Sequence, residues 1–177
     1  MTLRKPAKLL NEAGLFDYAL KTLGGRAMST GELREKLKRK AEKAGDVDPV
    51  IARLKDYGYL NDKQYAELYA SRRLENEGFG KMRVLSDLRS KRVAPTVAER
   101  AVTQAFAGTD ETELIEQFLS RKYRRTPLHE VLADPKGLAS AYRKLRAAGF
   151  THANSMRVLK RHGKDAETLD ALDSQAE

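Results

Sequence analysis

Apolar residues recur every three or four positions along most of this chain, and glycines and capping side chains cut the pattern into short helices. Residues 57–93 hold the clearest case. Tyr57-Gly58-Tyr59-Leu60-Asn61-Asp62 reads as a turn entering a helix, with Asp62 as its cap. Tyr65, Ala66, Leu68, Tyr69 and Ala70 give that helix an apolar face, and Gly78 is placed to end it in the left-handed conformation. Gly80 opens a second helix, with Val84, Leu85 and Leu88 inward and Lys81, Arg83, Arg89, Lys91 and Arg92 outward. The result is a helical hairpin, apolar inside and cationic outside.

The same pattern precedes and follows this hairpin. Residues 1–14 are a basic lead-in, where Pro6 and Gly14 bracket a short helix containing Leu9 and Leu10. Residues 15–60 predict a three-helix repeat. Leu15, Phe16, Ala19, Leu20 and Leu23 form a stripe that ends at Gly24-Gly25. Ser29 and Glu32 have capping-box spacing ahead of Leu33 and Leu37, with Gly45 as the stop. Asp48-Pro49 starts a third helix with Val50, Ile51, Leu54 and Tyr57 inward. A second repeat spans 61–108, its last helix burying Val97, Ala101, Val102, Ala105 and Phe106.

A looser third repeat spans 109–163. Asp110 to Arg124 is a helix with Leu114, Ile115, Phe118 and Leu119 inward, and residues 126–133 form a connector containing Pro127. Asp134-Pro135 caps a helix with Leu138, Ala141, Tyr142 and Leu145, and Phe150 to His162 is the last helix. Residues 164–177 read as a flexible tail. The second helices of the first two repeats align: Ser29 with Gly80, Leu33 with Val84, Leu37 with Leu88 and Lys40 with Lys91. Self-similarity at about fifty residues signals a tandem array whose neighbours share buried boundaries. The predicted fold class is therefore all-α, with three tandem three-helix-bundle repeats in an elongated, curved array.

Charge changes the picture from fold to partner. The chain has 177 residues, a formal net charge of +9 and 33% charged residues, but only 7% aromatics and no tryptophan. This balance points to a polyanionic partner. Absent cysteine excludes disulfides and thiolate metal sites, and fits a reducing compartment. No stretch approaches the ~20 apolar residues of a membrane span, and the N-terminus has no secretory apolar core, so a cytoplasmic protein is expected.

The spaced run Gly58-Tyr59-Leu60-Asn61-Asp62, Tyr65-Ala66, Arg72, Gly78-Phe79-Gly80, Arg83, Leu88 and Lys91 resembles the RecX family of recombination regulators. Arg26, Ser29, Glu32-Leu33 and Leu37 extend the likeness to the first repeat. It covers residues 15–107 and continues more weakly to 163. The departures are Asn61 where the family usually has Asp, Arg92 where a Gly normally follows the Lys, and extra residues between Lys40 and Asp48. The resemblance implies a non-enzymatic regulator in DNA repair and the SOS response. It would bind the RecA–DNA filament, lodge in its groove and inhibit ATP hydrolysis, strand exchange and recombination by RecA.

Candidate contacts with RecA or DNA are Arg26, Lys38, Arg39, Lys40, Arg72, Arg73, Lys81, Arg83, Arg89, Lys91, Arg92, Arg121, Lys122, Arg124, Arg125, Lys160 and Arg161. Arg143, Lys144 and Arg146 form a further cluster. Together they would make a cationic stripe along stacked repeats. The competing reading of each cluster is an ordinary solvated helix face. Single- or double-stranded DNA would be bound weakly and without sequence preference, by a monomer. Tyr57, Tyr59, Tyr65 and Tyr69 sit at helix-core spacing, so packing is preferred to base stacking; Tyr123, inside a basic run, stays open. His129, His152 and His162 have no metal-ligand spacing, and no serine elbow, Cys/His pair or phosphate loop occurs. No cofactor and no catalytic residue is expected. The alternative function is a sequence-specific helix-turn-helix-type DNA-binding protein, for which no dimer element stands out.

Overall fold

A computed structural model describes residues 9–163 and 166–174. Residues 1–8 of the expected lead-in, and 164–165 and 175–177 of the expected tail, lie outside the described residues. Among the described residues no strand forms; one isolated parallel bridge joins Leu10 and Ala41. The helices are α1 (Glu12–Gly25), α2 (Thr30–Lys38), α3 (Val47–Asp56), α4 (Asp62–Arg72), α5 (Lys81–Ser90), α6 (Pro95–Ala105), α7 (Glu111–Lys122), α8 (Leu128–Ala133), α9 (Pro135–Ala147), α10 (His152–His162) and α11 (Ala166–Ser174). The chain is thus an all-α repeat array, as its periodicity predicts. No helix is long and apolar enough to cross a membrane.

The chain divides into two units. Among the described residues, one holds 9–68 and 88–101; the other holds 69–87, 102–163 and 166–174. The divisions therefore fall inside α4, α5 and α6.

In the first unit α1, α2 and α3 pack on one another around Leu15, Ala19, Met28, Leu33, Leu37, Val50, Ile51, Leu54 and Leu60. Three helix ends differ from expectation. The helix carrying Leu33 and Leu37 stops at Lys38 and does not run to Gly45. The chain turns at Arg39-Lys40 and then pairs with Leu10: Leu10 N–H donates to the Lys40 carbonyl at 2.8 Å and Glu42 N–H to the Leu10 carbonyl at 2.9 Å. That pairing also fixes Leu10 outside a helix, and α1 begins at Glu12 behind the Asn11 cap.

The start of α3 is the second difference. It follows directly from a 3₁₀ turn, Ala44–Asp46, so Asp48 lies inside the helix and is not its cap. The Asp48 carboxylate instead accepts from Arg34 Nε at 3.2 Å. The third is at α4, where Asn61 Oδ1 takes the N–H of Gln64 at 3.0 Å and acts as the cap. Asp62 turns away and accepts the Thr30 N–H at 2.6 Å, covering an exposed donor at the start of α2. Ser29 makes its half of the capping box with Glu32 N–H at 3.0 Å, and its hydroxyl donates to the Lys91 carbonyl.

The second unit is built around α10, which packs against α7, α8, α9 and α11. Ile115, Leu119, Leu132, Leu138, Leu145, Phe150 and Leu159 fill its interior. The connector over 126–133 contains helix α8, because Leu132 is an apolar anchor that the region can bury. The expectation of a flexible tail needs correction over residues 166–174. They form α11, whose buried Leu169 goes with packing on α9 and α10.

Two glycines in this unit are required by close approach. Gly80 donates its N–H to the Ala148 carbonyl at 2.9 Å, and a Cβ on Gly80 would lie 2.4 Å from the Gly149 oxygen. Gly149 has φ +86° and a Cβ there would meet Arg83 N at 2.1 Å. Between α4 and Gly78 the chain widens into a π-helical turn, Arg73–Glu77, and Gly78 ends it at φ +61°, as its position predicts.

Candidate nucleic-acid and filament interface

The cations expected to form an interface fall into two groups, those matched by acids and those that are not. In the first unit, α2 carries two of the matching acids. Glu32 is paired with Arg26 at 3.4 Å and Lys91 at 3.6 Å, and it also receives the Tyr65 hydroxyl at 3.4 Å. One turn on, Glu35 is paired with Lys38 at 3.3 Å and Arg92 at 3.9 Å. The hydrogen bond from Lys38, then the charges of Lys38 and Arg92, hold the Glu35 carboxyl below its ordinary value. Arg89 reaches Glu99 only at 4.0 Å. Arg39 is exposed and Lys40 half-buried, and among the described residues neither forms an ion pair, although the Arg39 charge also helps to lower Glu35. These residues follow the end of α2, where cations favour the negative end of the helix dipole.

In the second unit, Asp87 gathers Arg73 at 3.4 Å and Arg83 at 3.1 Å. Arg73 also pairs with Glu77, donates to the Tyr69 hydroxyl at 2.9 Å and lies against the Tyr69 and Phe79 rings. Burial pushes the Tyr69 phenol above its usual value, against the Arg73 hydrogen bond and with help from the Asp87 charge. Arg73 is thus enclosed by the π-helical turn it begins, and its employment is structural.

Arg121 is committed too: its guanidinium donates to the carbonyls of Asn76 at 3.4 Å and Glu77 at 3.2 Å, capping that same turn. Lys81 and Lys122 lie over the rings of Phe106 and Phe118, at 5.9 and 5.5 Å from the ring centres. Arg161 reaches Glu116 at 3.8 Å, and the His162 ring nitrogen lies 2.9 Å from the same carboxylate. Lys160 is exposed on α10 beside them.

Arg72, Arg124 and Arg125 have no ion-pair partner among the described residues. The last two border an open hollow of about 1010 Å³ past the end of α7, together with Glu116, Arg121 and Tyr123. Tyr123 is half-buried, accepts from Lys144 Nζ at 3.0 Å and has that ammonium 4.6 Å from its ring centre. Lys144 belongs to the 143–146 cluster but not to the candidate contacts. Its role emerges only from α9 packing beside the end of α7.

The tyrosines expected in the core divide. Tyr65 and Tyr69 are half-buried with bonded hydroxyls. Tyr57 and Tyr59 are 63% and 56% exposed, which corrects the core assignment for both. They follow α3 in the turn at Gly58 (φ +76°), where helical spacing no longer decides which side a residue faces. Phe16, Tyr57 and Tyr59 form an edge-to-face series on the surface, with centroid separations of 6.1 and 6.4 Å. His152 is bonded through Nδ1 to the Tyr142 hydroxyl at 2.8 Å, a packing role.

Comparison with known proteins agrees with this architecture. The family models for the first and second three-helix domains of RecX match residues 16–54 and 61–102. A regulatory protein RecX from Deinococcus radiodurans is 33% identical over 136 residues, 77% of this chain and 62% of that protein. The match therefore spans less than two thirds of that relative. A regulatory protein RecX from Trichlorobacter lovleyi is 31% identical over 105 residues, 59% of this chain and 68% of that protein. A crystal structure of a regulatory protein RecX superposes with a TM-score of 0.67 at 20% identity, over 84% of this chain and 73% of its own, a likeness of fold. A two-domain match in tandem, and a relative covered over most of its length, identify the chain as a member of the RecX family.

Proposed function

We propose that this protein binds the RecA–DNA filament and restrains it, lowering ATP hydrolysis, strand exchange and recombination by RecA. It acts by binding and performs no catalysis. It works as a cytoplasmic monomer, and its affinity for free DNA is weak and independent of sequence. Membership in a family of regulatory proteins carries this reading. The distribution of charge supports it. Among the described residues Arg39, Lys40, Arg72, Arg124 and Arg125 form no ion pair, so each is available to a polyanion. Arg26, Lys38, Arg83, Lys91 and Arg92 are shared with acids of the chain itself. They contribute a weaker field.

Co-sedimentation tests the reading. RecA filaments assembled on oligo(dT) with a non-hydrolysable ATP analogue should carry the protein into the pellet. The variant Arg39→Glu/Lys40→Glu/Arg72→Glu should stay largely in the supernatant while keeping its helical circular dichroism. Wild-type protein left in the supernatant at excess filament would reject the proposal. Tight binding to one duplex sequence at physiological salt would favour a sequence-reading DNA-binding protein instead.

A further inference from the structure

We infer that the hollow past the end of α7 is a single-strand subsite: Arg124 and Arg125 take backbone phosphates of a single-stranded nucleic acid, and Tyr123 takes a base. The inference deepens the reading of a filament-binding protein and rests on it for its biological setting.

Three features place the contact here. The first is unmatched charge. The run Arg121-Lys122-Tyr123-Arg124-Arg125 has four cations in five positions. The carboxylate that borders the hollow, Glu116, is turned to Arg161 and His162. Arg124 and Arg125 are exposed and have no ion-pair partner among the described residues. Two guanidinium groups bordering one hollow suit phosphate oxygens, which they bind through paired N–H donors.

The second is a fixed aromatic. Tyr123 follows the last turn of α7 and donates its N–H to the Leu119 carbonyl at 2.9 Å, so its backbone is anchored. Lys144 from α9 holds its hydroxyl at 3.0 Å. A ring held at both ends loses little freedom when a base stacks on it, and base–aromatic stacking tolerates any sequence.

The third is that the neighbouring cations are occupied. Arg121 donates to Asn76 and Glu77 carbonyls, and Lys122 lies over Phe118. These two shape the rim, and Arg124 and Arg125 remain for the ligand. Bases in a duplex are stacked and hidden from Tyr123, whereas those of a single strand are open to it.

Fluorescence anisotropy of a labelled thirty-residue oligo(dT), measured across a salt series with the full chain, tests the inference without RecA. Arg124→Ala/Arg125→Ala should weaken binding about ten-fold or more and flatten the log–log salt slope by roughly 1.4, the value for two phosphates of a single strand. Tyr123→Leu should weaken binding about ten-fold with an unchanged slope, and Tyr123→Phe, which keeps the ring but gives up the Lys144 anchor, should lose only part of that. A duplex of the same length should bind more weakly than the single strand. Added pyrophosphate should compete in proportion to its ionic strength alone if extended strands are the ligand; saturable competition at micromolar pyrophosphate would overturn the inference in favour of a small-anion site.

An unchanged affinity and slope in the double arginine variant, or an equal loss in Arg39→Ala/Lys40→Ala, would also overturn it. The oligo measurement contains no RecA, so the subsite is judged separately from the filament reading. A protein that binds oligo(dT) through Tyr123 and leaves filaments untouched refutes the second and keeps the first.

Discussion

The carboxylate of Asp62 accepts the backbone N–H of Thr30 at 2.6 Å, joining the first residue of α4 to the first residue of α2. An acid that looks from sequence like the cap of its own helix serves another. It satisfies one of the exposed donors at the start of α2, and its charge lies at the positive end of that helix dipole. Ser29 handles the Glu32 N–H of the same turn at 3.0 Å. Asp62→Ala should therefore cost about 2 kcal/mol in urea unfolding, the range for a hydrogen bond to a charged group. Asn61→Ala, which removes the actual cap of α4, should cost about 1 kcal/mol. Equal stability of Asp62→Ala and wild type would remove Asp62 from the start of α2.

Gly80 and Gly149 let two backbone turns meet. Gly80→Ala would place a methyl 2.4 Å from the Gly149 oxygen, so the second unit must give. A loss of about 2 kcal/mol is expected, as for overpacking. Gly58 has φ +76° with nothing near its Cβ position, and Gly58→Ala isolates the backbone effect alone, at about 1 kcal/mol. Chemical denaturation of the two variants should rank Gly80→Ala clearly below Gly58→Ala.

These two relationships show what the sequence makes legible and what it hides. Helical spacing located most helices, and Gly78, Asp110 and Asp134 act at helix ends as their positions predict. Each of those roles is local, involving residues within a few positions. The role of Asp62 depends on Thr30, and that of Arg121 on Asn76 and Glu77, partners that no local pattern names. The same limit hid the end of α2, which is set by Leu10, and the seat of Leu169 in α11. For the interface, the list of cations was readable but their availability was not. Whether Arg83 or Arg124 is free depends on where Asp87 and Glu116 point.

Arg92 is the non-glycine residue with positive φ among those described, at +58°. An L side chain pays about 1–2 kcal/mol there, and glycine does not. Its ion pair with Glu35 is long, 3.9 Å, and its side chain is 60% exposed, so it offers little in return. Arg92→Gly should raise stability by about 0.5–1 kcal/mol despite the flexibility it adds to the unfolded chain. A thermal melt reading a lower midpoint would show that Arg92 contributes more through Glu35 than this geometry implies.

Acid should weaken the second unit through Asp110. The Thr112 hydroxyl and N–H both donate to Asp110 Oδ1 at 2.7 Å, and they hold its carboxyl below the ordinary carboxylate value. A depressed folded value means the unfolded chain takes up the proton first as pH falls. The contribution is complete above the ordinary carboxylate pKa and disappears as pH drops through the lowered one. Asp110→Asn should therefore show a flatter fall in melting temperature between neutral pH and about pH 3 than wild type, with the difference confined to the acid side. Parallel curves would leave Asp110 without a share in acid sensitivity.

On the function proposed here, the chain would regulate RecA by occupying its nucleoprotein filament. Steady-state ATP hydrolysis by RecA on circular single-stranded DNA, with the protein added below RecA stoichiometry, tests that most directly. The rate should fall as protein is added, and Arg39→Glu/Lys40→Glu/Arg72→Glu should need far more protein for the same effect. A rate that stays constant up to molar excess of the folded wild-type protein would contradict the account.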